Sequence, residues 1–188
     1  MEFINALKLR RSTRKFALKG VSMNEISEIC QAAMLAPMSG NISTIYFIIV
    51  SKKETIKLLA SAAQQPFLVQ APYVIVVYSD PRHTVRSYGK KGDIYVRQQA
   101  GAAIENMLLR AADLELGACW VGWFDEDMAK RAVFLPAWAQ VEALIPVGHP
   151  NEEPIPKRKK DLKLVTRFDQ RGYFDSHKLK KPVKKVFA

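Results

Sequence analysis

The chain has 188 residues, of which 48% are hydrophobic, and a formal net charge of +11. This length allows one sizeable core, and no apolar run approaches the roughly 20 residues of a membrane-spanning helix, so we expect one soluble domain. The positive charge predicts affinity for anions, such as phosphate-bearing small molecules, nucleic acid or acidic lipid, and does not by itself choose among them.

The amino terminus, Met1-Glu2-Phe3-Ile4-Asn5, has none of the features of an export signal. The two cysteines, Cys30 and Cys119, lie in apolar segments, which is typical of buried thiols in a reducing compartment. We therefore expect a cytoplasmic protein without a disulfide.

The first quarter of the chain predicts two helices and a strand. Apolar residues within 2–9 favour a short helix that ends at the basic cluster 10–15. Ser22-Met23-Asn24-Glu25 fits a capping box that opens an amphipathic helix ending before Pro37. Residues 44–50 are β-branched and aromatic, which favours a strand.

The next segments continue this alternation. Ser51-Lys52-Lys53-Glu54 fits a second capping box, which would open a helix to about residue 63. Residues 73–78 predict another strand. Residues 80–92 are polar, basic and bounded by proline and glycine, which is typical of an exposed loop or lid.

A long helix is predicted over 94–116, with Asp93 as its cap and Gly117 as its stop signal. Its residues leave almost no wide polar face, so it must be buried in a core or against a second subunit. Residues 119–124 predict a strand.

Asp125 is expected to cap a short helix that ends near Val133, and residues 141–147 predict the last strand. The strands are few, and one helix is too apolar for a surface layer. This pattern favours an α+β sandwich around a mixed sheet over a doubly wound nucleotide-binding fold.

The common catalytic signatures are absent from the sequence, which has no glycine-rich nucleotide loop, no GxSxG elbow and no HExxH motif. His83, His149 and His177 are far apart and have no cysteine partners at metal-ligand spacing. We therefore expect no metal site.

Three segments are suited to an anionic or heterocyclic ligand. Arg10-Arg11-Ser12-Thr13-Arg14-Lys15-Phe16 concentrates guanidinium groups and hydroxyls that suit phosphate, although a solvated basic turn has the same composition. Ala36-Pro37-Met38-Ser39-Gly40-Asn41 is either an ordinary turn or one whose carboxamide reads a heterocycle edge. Val147-Gly148-His149-Pro150, followed by the cations from Lys157 to Lys160, either closes on the same phosphate or begins a basic tail.

In this order, from about Ala6 to Leu162, these segments resemble the nitroreductase family of FMN-dependent oxidoreductases. The run from Gln98 to Leu109 is similar to the family's central helix, and the run from Gly117 to Asp125 to the strand that passes one face of the flavin. The resemblance implies an α+β three-layer sandwich, with a mixed, mostly antiparallel sheet, helices on both faces and a buried central helix at a dimer interface. It also implies a domain over 1–165 and a basic extension over 166–188.

The resemblance further implies an enzyme that transfers hydride from NADH or NADPH through flavin N5 to an electron-poor small molecule, a nitroaromatic or quinone, in a ping-pong scheme. No catalytic side chain is required. The implied FMN-binding residues are Arg10, Arg11, Ser12, Arg14, Ser39, Asn41, Gly122, Trp123, Lys157 and Lys159. Two positions depart from the family pattern, since Ser43-Thr44-Ile45 replaces the usual Gln-Pro-Trp and Gln99 replaces a frequent aspartate.

Other functions stay open at this stage. The same fold also serves dehalogenases, flavin-fragmenting enzymes and azoline dehydrogenases, and a flavin-binding protein without turnover is a further alternative. A basic nucleic-acid-binding protein is the non-enzymatic alternative, but the sequence has no helix-turn-helix, RRM or OB pattern. We therefore expect a homodimer acting on a small molecule, with neither nucleic acid nor a membrane as partner.

Overall fold

The computed structural model describes residues 1–153 and 159–167 of the chain. The chain divides into two units, Met1–Glu153 and Pro154–Ala188. The division predicted after residue 165 stays a prediction. Helices and strands of the first unit are α1 (Phe3–Leu9), α2 (Met23–Met34), β1 (Ile45–Val50), α3 (Lys53–Ala63), β2 (Tyr73–Ser79), α4 (Arg82–Tyr88), α5 (Lys90–Asp113), β3 (Gly117–Ala118), α6 (Glu126–Ala132) and β4 (Gln140–Gly148). The described part of the second unit contains α7 (Leu162–Val165).

The strands form one sheet in the order β1-β2-β4-β3, in which every neighbouring pair is antiparallel. β1 and β2 pair along their whole length, beginning with Ile45 opposite Ser79. The edge strand β3 contributes only Gly117 and Ala118. Within the described residues, the parallel component is one isolated bridge between Ser12 and Ala118. The predicted α+β class with a mostly antiparallel sheet is confirmed.

Helices cover both faces of the sheet, which gives the predicted three layers. Because successive side chains of a strand point to opposite faces, β2 supplies apolar groups to both sides. Its Ile75 and Val77 pack with α2 and α5, whereas its Val74 and Val76 pack with α3 and α6. The central strands are therefore buried on both faces, and α5 lies in the first of these two cores.

One of the two predicted capping boxes is present. At the start of α2, Ser22 Oγ accepts a hydrogen bond from Glu25 N at 3.2 Å, and Glu25 Oε2 accepts one from Ser22 N at 2.7 Å. The predicted box at Ser51 is wrong. The N-cap of α3 is Lys52, which makes no side-chain cap, so Ser51 stands one residue too early to reach the open amides.

Residues 80–92 are mostly exposed, as predicted, but the predicted loop is wrong because they contain helix α4. A Cβ added at Gly92 would lie 2.5 Å from the Thr84 carbonyl oxygen, which means that α4 packs directly on the backbone of α5. At the start of α4, Arg82 Nη2 donates to Asp80 Oδ2 at 2.7 Å. Contacts with the rest of the fold therefore stabilise a short polar helix that its own sequence pattern does not indicate.

Helix α5 begins and ends earlier than the predicted range 94–116. Asp93 is not its cap, because it lies inside the first turn and accepts a hydrogen bond from Arg97 Nε at 3.2 Å. The chain leaves the helix through Glu115, which has a φ of 59°, rather than at Gly117. A non-glycine residue in the left-handed region thus performs the turn that we assign to glycine from the sequence.

The predicted strand over 119–124 is wrong in its extent. Beyond β3, one isolated bridge joins Val121 to Leu144, and the segment is otherwise held by packing rather than by a ladder. The helix capped by Asp125, whose Oδ1 accepts from a backbone amide at 2.8 Å, and the strand over 141–147 are confirmed as α6 and β4.

Cys30 and Cys119 are both thiols. In residues 1–153 and 159–167, no helix is long and apolar enough to cross a membrane.

Candidate functional site

The basic segment that follows α1 is fixed by backbone hydrogen bonds to two strand ends. Thr13 N donates to the Ala118 carbonyl at 3.0 Å, and Ala17 N donates to the His149 carbonyl at 2.9 Å. Asn151 N in turn donates to the backbone carbonyl of Lys15 at 2.9 Å. The segment is therefore joined by isolated backbone bridges to the ends of β3 and β4, which fixes its backbone.

Two glycines make this docking possible. A Cβ added at Gly117 would lie 2.7 Å from Thr13 Cγ2, and one added at Gly148 would lie 2.9 Å from the Phe16 ring. Real Cβ atoms do not approach other atoms so closely. Gly117 is thus needed for the close approach of the basic segment, which is a different role from the helix stop predicted for it.

The basic segment carries three guanidinium groups, two of which contact other parts of the fold. Arg10 Nε lies 3.2 Å from Glu105 Oε1 on α5, and the Arg10 side chain is 26% exposed. Arg11 Nη1 donates to the Arg10 carbonyl at 2.8 Å. The Arg14 guanidinium lies 6.0 Å from the centre of the Phe67 ring. The predicted residues Arg10, Arg11, Ser12 and Arg14 are therefore on one continuous segment, with Arg10 beside α5 and Arg14 beside Phe67.

The segment after β3 adds an aromatic wall beside these cations. A Cβ at Gly101 of α5 would lie 3.8 Å from Trp120 Cη2, and one at Gly122 would lie 3.6 Å from Trp120 Nε1. The indole of Trp120 therefore lies across α5 at Gly101 and beside Gly122. Glu105, the partner of Arg10, is one helical turn further along the same side of α5.

Trp123 and Trp120 contrast in their surroundings. The predicted residue Trp123 is 79% exposed, whereas Trp120 is partly covered by α5. Sequence reasoning names Gly122 and Trp123 and misses Trp120. The available signal is its position in Cys119-Trp120-Val121, where the apolar neighbours on both sides are buried and the residue between them points the other way.

The predicted turn around Ser39 lies at a different place. Gly40 and Asn41 have φ values of 59° and 57°, so the chain reverses sharply here. Ser39 is half-buried and Asn41 is exposed. The hydroxyl of Tyr88, at the end of α4, lies over Gly40, where any side chain would collide with it. Helix α4 and this turn therefore form one surface.

Behind the turn is a small cavity with a polar group on its wall. Its lining includes Pro37, Met38, Ser43 and Gln99. Gln99 is 4% exposed, and its Oε1 accepts a hydrogen bond from Thr44 Oγ1 at 2.9 Å. Its Nε2 has no hydrogen-bond partner within the described residues. The two positions that depart from the family pattern are thus bonded to each other.

The two groups of predicted residues lie on opposite sides of α5. Gln99 and Ala103 face the turn, whereas Gly101 and Glu105 carry Trp120 and Arg10. Residues two apart on a helix differ by about 200° in direction. Within this chain, α5 therefore separates Ser39 and Asn41 from the basic segment and Gly122. Of the remaining predicted residues, Lys157 lies outside the described part of the chain, and Lys159 is exposed in the second unit.

A sequence model described as the nitroreductase family matches residues 7–66 and 59–149. The chain belongs to the nitroreductase family. A protein of Archaeoglobus fulgidus, named as a candidate NADH dehydrogenase/NAD(P)H nitroreductase, is 32% identical over 157 residues, which cover 81% of this chain and 87% of that protein. These similarities confirm the resemblance that the sequence motifs predict.

Solved nitroreductase structures share the fold. An FMN-dependent nitroreductase from Clostridium difficile R20291 is 28% identical, with a TM-score of 0.76 and coverage of 89% of this chain and 99% of that one. An NADPH:FMN oxidoreductase from Vibrio harveyi, in complex with NAD⁺, has a TM-score of 0.82 at 21% identity, and the match covers 92% of this chain and 79% of that one. The latter likeness concerns the fold alone.

Proposed function

We propose that this nitroreductase-family protein is an FMN-dependent oxidoreductase that transfers electrons from NADH or NADPH to an electron-poor small molecule. Family membership and the FMN-dependent relative from Clostridium difficile support this reaction class. The observation that carries the proposal is the division of the predicted site between opposite sides of α5, because two copies of this small domain could then enclose a large planar cofactor between them.

The residues of the basic segment fit the phosphate group of FMN. A phosphate dianion requires several donors and a positive field, and Arg10, Arg11, Ser12 and Arg14 supply guanidinium groups and a hydroxyl from a fixed backbone. Trp120 and Gly122 offer a flat, apolar wall to a planar ring. The predicted contributions of Lys157, Lys159 and Trp123 to the cofactor site stay part of the proposal.

When bound, FMN would supply the hydride chemistry that no side chain of this protein can perform. The protein would bind and orient the donor and the acceptor in turn at the same face, which is a ping-pong scheme. Arg10 and Arg14 would stabilise negative charge on the reduced cofactor by their fixed positive charges. We infer nitroaromatics or quinones as the acceptor class.

We propose a homodimer in which α5 lies at the interface. One side of α5 carries Gly101 and Ala102, half-buried small residues that allow close approach of a second chain, and Trp120 lies beside Gly101. A two-fold axis would bring the Ser39–Asn41 turn of one protomer to the basic segment of the other. Each cofactor would then contact both chains.

The first experiment is an absorption spectrum of the purified protein, followed by anaerobic addition of NADH or NADPH. An oxidised flavin absorbs at about 450 nm, and we expect this band to bleach within the mixing time of a hand-mixed sample. Size-exclusion chromatography with light scattering should report two chains. Failure to bind FMN after reconstitution contradicts the proposal, and so does bound FMN that neither nucleotide reduces.

A pair of substitutions tests the phosphate assignment. Ser12→Ala with Arg14→Gln should weaken FMN binding at least tenfold, since it removes a hydroxyl and a guanidinium from the assigned phosphate site. The matched control is Ser51→Ala with Lys52→Gln, which removes a hydroxyl and a positive charge directly after β1, at the sheet edge opposite β3. Equal FMN affinity in the two variants would contradict the assignment.

A further inference from the structure

The exposed surface of α4 and the first turn of α5 carries a group of basic side chains. We call His83, Arg86, Lys90 and Lys91 the α4 basic face. The other charged groups of these two turns are already paired, Arg82 with Asp80 and Asp93 with Arg97. Arg86, Lys90 and Lys91 are exposed, and none forms an ion pair within the described residues. The face thus concentrates basic groups that have no carboxylate partner in the part of the chain that the structure describes.

The acidic residues nearest in sequence are already engaged. Asp80 accepts two hydrogen bonds from the Arg82 side chain, at 2.9 and 2.7 Å, and this guanidinium holds the pKa of Asp80 below its usual range. Asp93 accepts from Arg97 at 3.2 Å. Arg82 itself stacks on the Trp138 ring at 4.0 Å. These contacts leave the positive charge of the α4 basic face available to a ligand.

Helix α4 holds this charge next to the proposed cofactor site. Its backbone contacts α5 directly at Gly92, and the Tyr88 ring lies edge-on to Tyr95 with 5.4 Å between centres. The Tyr88 hydroxyl covers Gly40, between Ser39 and the next turn residue. The face is therefore carried by a packed helix that adjoins the turn assigned to the cofactor.

We propose that the α4 basic face binds the anionic group, a phosphate, carboxylate or sulfonate, of the substrate that exchanges electrons at this site. Fixed cations beside a site raise the local concentration of anions and accelerate their association, by a factor that falls with ionic strength. The inference rests on the proposed function. It assigns a preference for anionic over neutral substrates, and the anion belongs to either the dinucleotide donor or the acceptor.

The test compares two triple variants with equal charge changes. Arg86→Ala, Lys90→Ala and Lys91→Ala together form the face variant. Lys52→Ala, Lys53→Ala and Lys57→Ala together form the control, since these lysines are exposed on or beside α3, which packs on the opposite face of the sheet. If thermal unfolding shows that the face variant is not folded, the single substitution Arg86→Gln, at an exposed position, replaces it.

Stopped-flow measurements then separate the two half-reactions. Flavin reduction is followed with NADPH, NADH and the uncharged donor 1-benzyl-1,4-dihydronicotinamide, and reoxidation with anthraquinone-2-sulfonate and uncharged menadione. At low ionic strength, the face variant should react about tenfold more slowly than the unchanged protein with the anionic donors, with the anionic acceptor, or with both. High salt should reduce this difference in rate. The control variant and the uncharged compounds should keep their rates to within about twofold.

The pattern of losses identifies the source of the anion. A loss confined to the dinucleotides assigns the face to the donor phosphates, and a loss confined to the sulfonate assigns it to the acceptor. The inference is overturned if the face variant loses as much rate with uncharged as with charged compounds, or if the control variant loses as much rate as the face variant. It is also overturned if the face variant loses no rate at all. If the protein proves to have no flavin chemistry, titration calorimetry with NADP⁺ and with anthraquinone-2-sulfonate still decides, because the face variant must bind at least one of them at least tenfold more weakly than the control variant does.

Discussion

The buried hydrogen bond between Thr44 and Gln99 should contribute measurably to the free energy of unfolding. Thr44 is 1% exposed, and its hydroxyl donates to Gln99 Oε1 at 2.9 Å. Thr44→Val keeps the shape of the side chain but leaves the whole Gln99 amide without a partner among the described residues. The free energy of unfolding should therefore fall by about 1–3 kcal/mol.

The substitution of the other partner, Gln99, and the double variant complete a double-mutant cycle. Gln99→Met leaves the Thr44 hydroxyl unpaired but also removes Nε2, which already has no partner among the described residues, so its cost should be smaller than that of Thr44→Val. The double variant should lie within about 1 kcal/mol of the unchanged protein, because an apolar pair carries no desolvation penalty. The coupling energy between the positions should then reach about 1 kcal/mol or more.

Urea unfolding, monitored by far-ultraviolet circular dichroism, measures these free energies. All four proteins must be compared at one protein concentration and with the same flavin content, since dimerisation and ligand binding both raise apparent stability. If the two single losses simply add in the double variant, the bond does not couple Thr44 to Gln99, and the reasoning is refuted.

Three further predictions concern single groups. Burial raises the pKa of Glu142 above its usual value of 4.5, so the folded protein keeps this proton to higher pH than the unfolded chain, and the free energy of unfolding falls as pH rises from 4.5. Glu142→Gln should reduce this fall when unfolding is measured from pH 4.5 upwards. An unchanged pH dependence would exclude Glu142 as its source. Ser22→Ala should lower the free energy of unfolding by about 1 kcal/mol, and Ser51→Ala should lower it by less than about 0.5 kcal/mol, as thermal unfolding can measure. Equal losses in the two variants would contradict the assigned caps. Burial raises the pKa of Cys30 to about 11, so iodoacetamide should label it far more slowly at pH 8 than a model thiol, as mass spectrometry can show.

Patterns within a few consecutive residues predict the helices that are capped by their own neighbours and the strands that are formed by apolar runs. The Ser22–Glu25 pattern places the start of α2, and the β-branched runs place β1, β2 and β4. The same pattern at Ser51 fails, because the chain enters α3 one residue later. A capping motif is therefore informative only when the backbone reaches the N-cap conformation at that residue.

The missed features depend on contacts between distant residues. Helix α4 forms because Gly92 lets its backbone rest on α5, and a glycine in the sequence indicates a break as readily as a close approach. The role of Gly117 becomes visible only when Thr13 is docked against it. Trp120 escapes attention for the same reason, since its partner Gly101 is distant in sequence.

The division of the site across α5 also depends on the assembled fold. Motif order predicts that Arg10, Ser12, Ser39 and Asn41 serve one ligand, but spacing along the chain does not show on which side of a helix each lies. The structure shows the two sides of α5. Gly101 lies against Trp120 on one side, and Gln99 lines the cavity behind the turn on the other.

This arrangement has a genetic consequence. In the proposed dimer, each site takes its basic segment from one chain and its turn from the other. A chain altered at Ser12 and a chain altered at Asn41, each inactive alone, would pair into a mixed dimer in which one site carries both alterations and the other carries neither. Random pairing makes half of the dimers mixed, so co-expression should restore roughly a quarter of the sites through complementation between two defective copies of one gene.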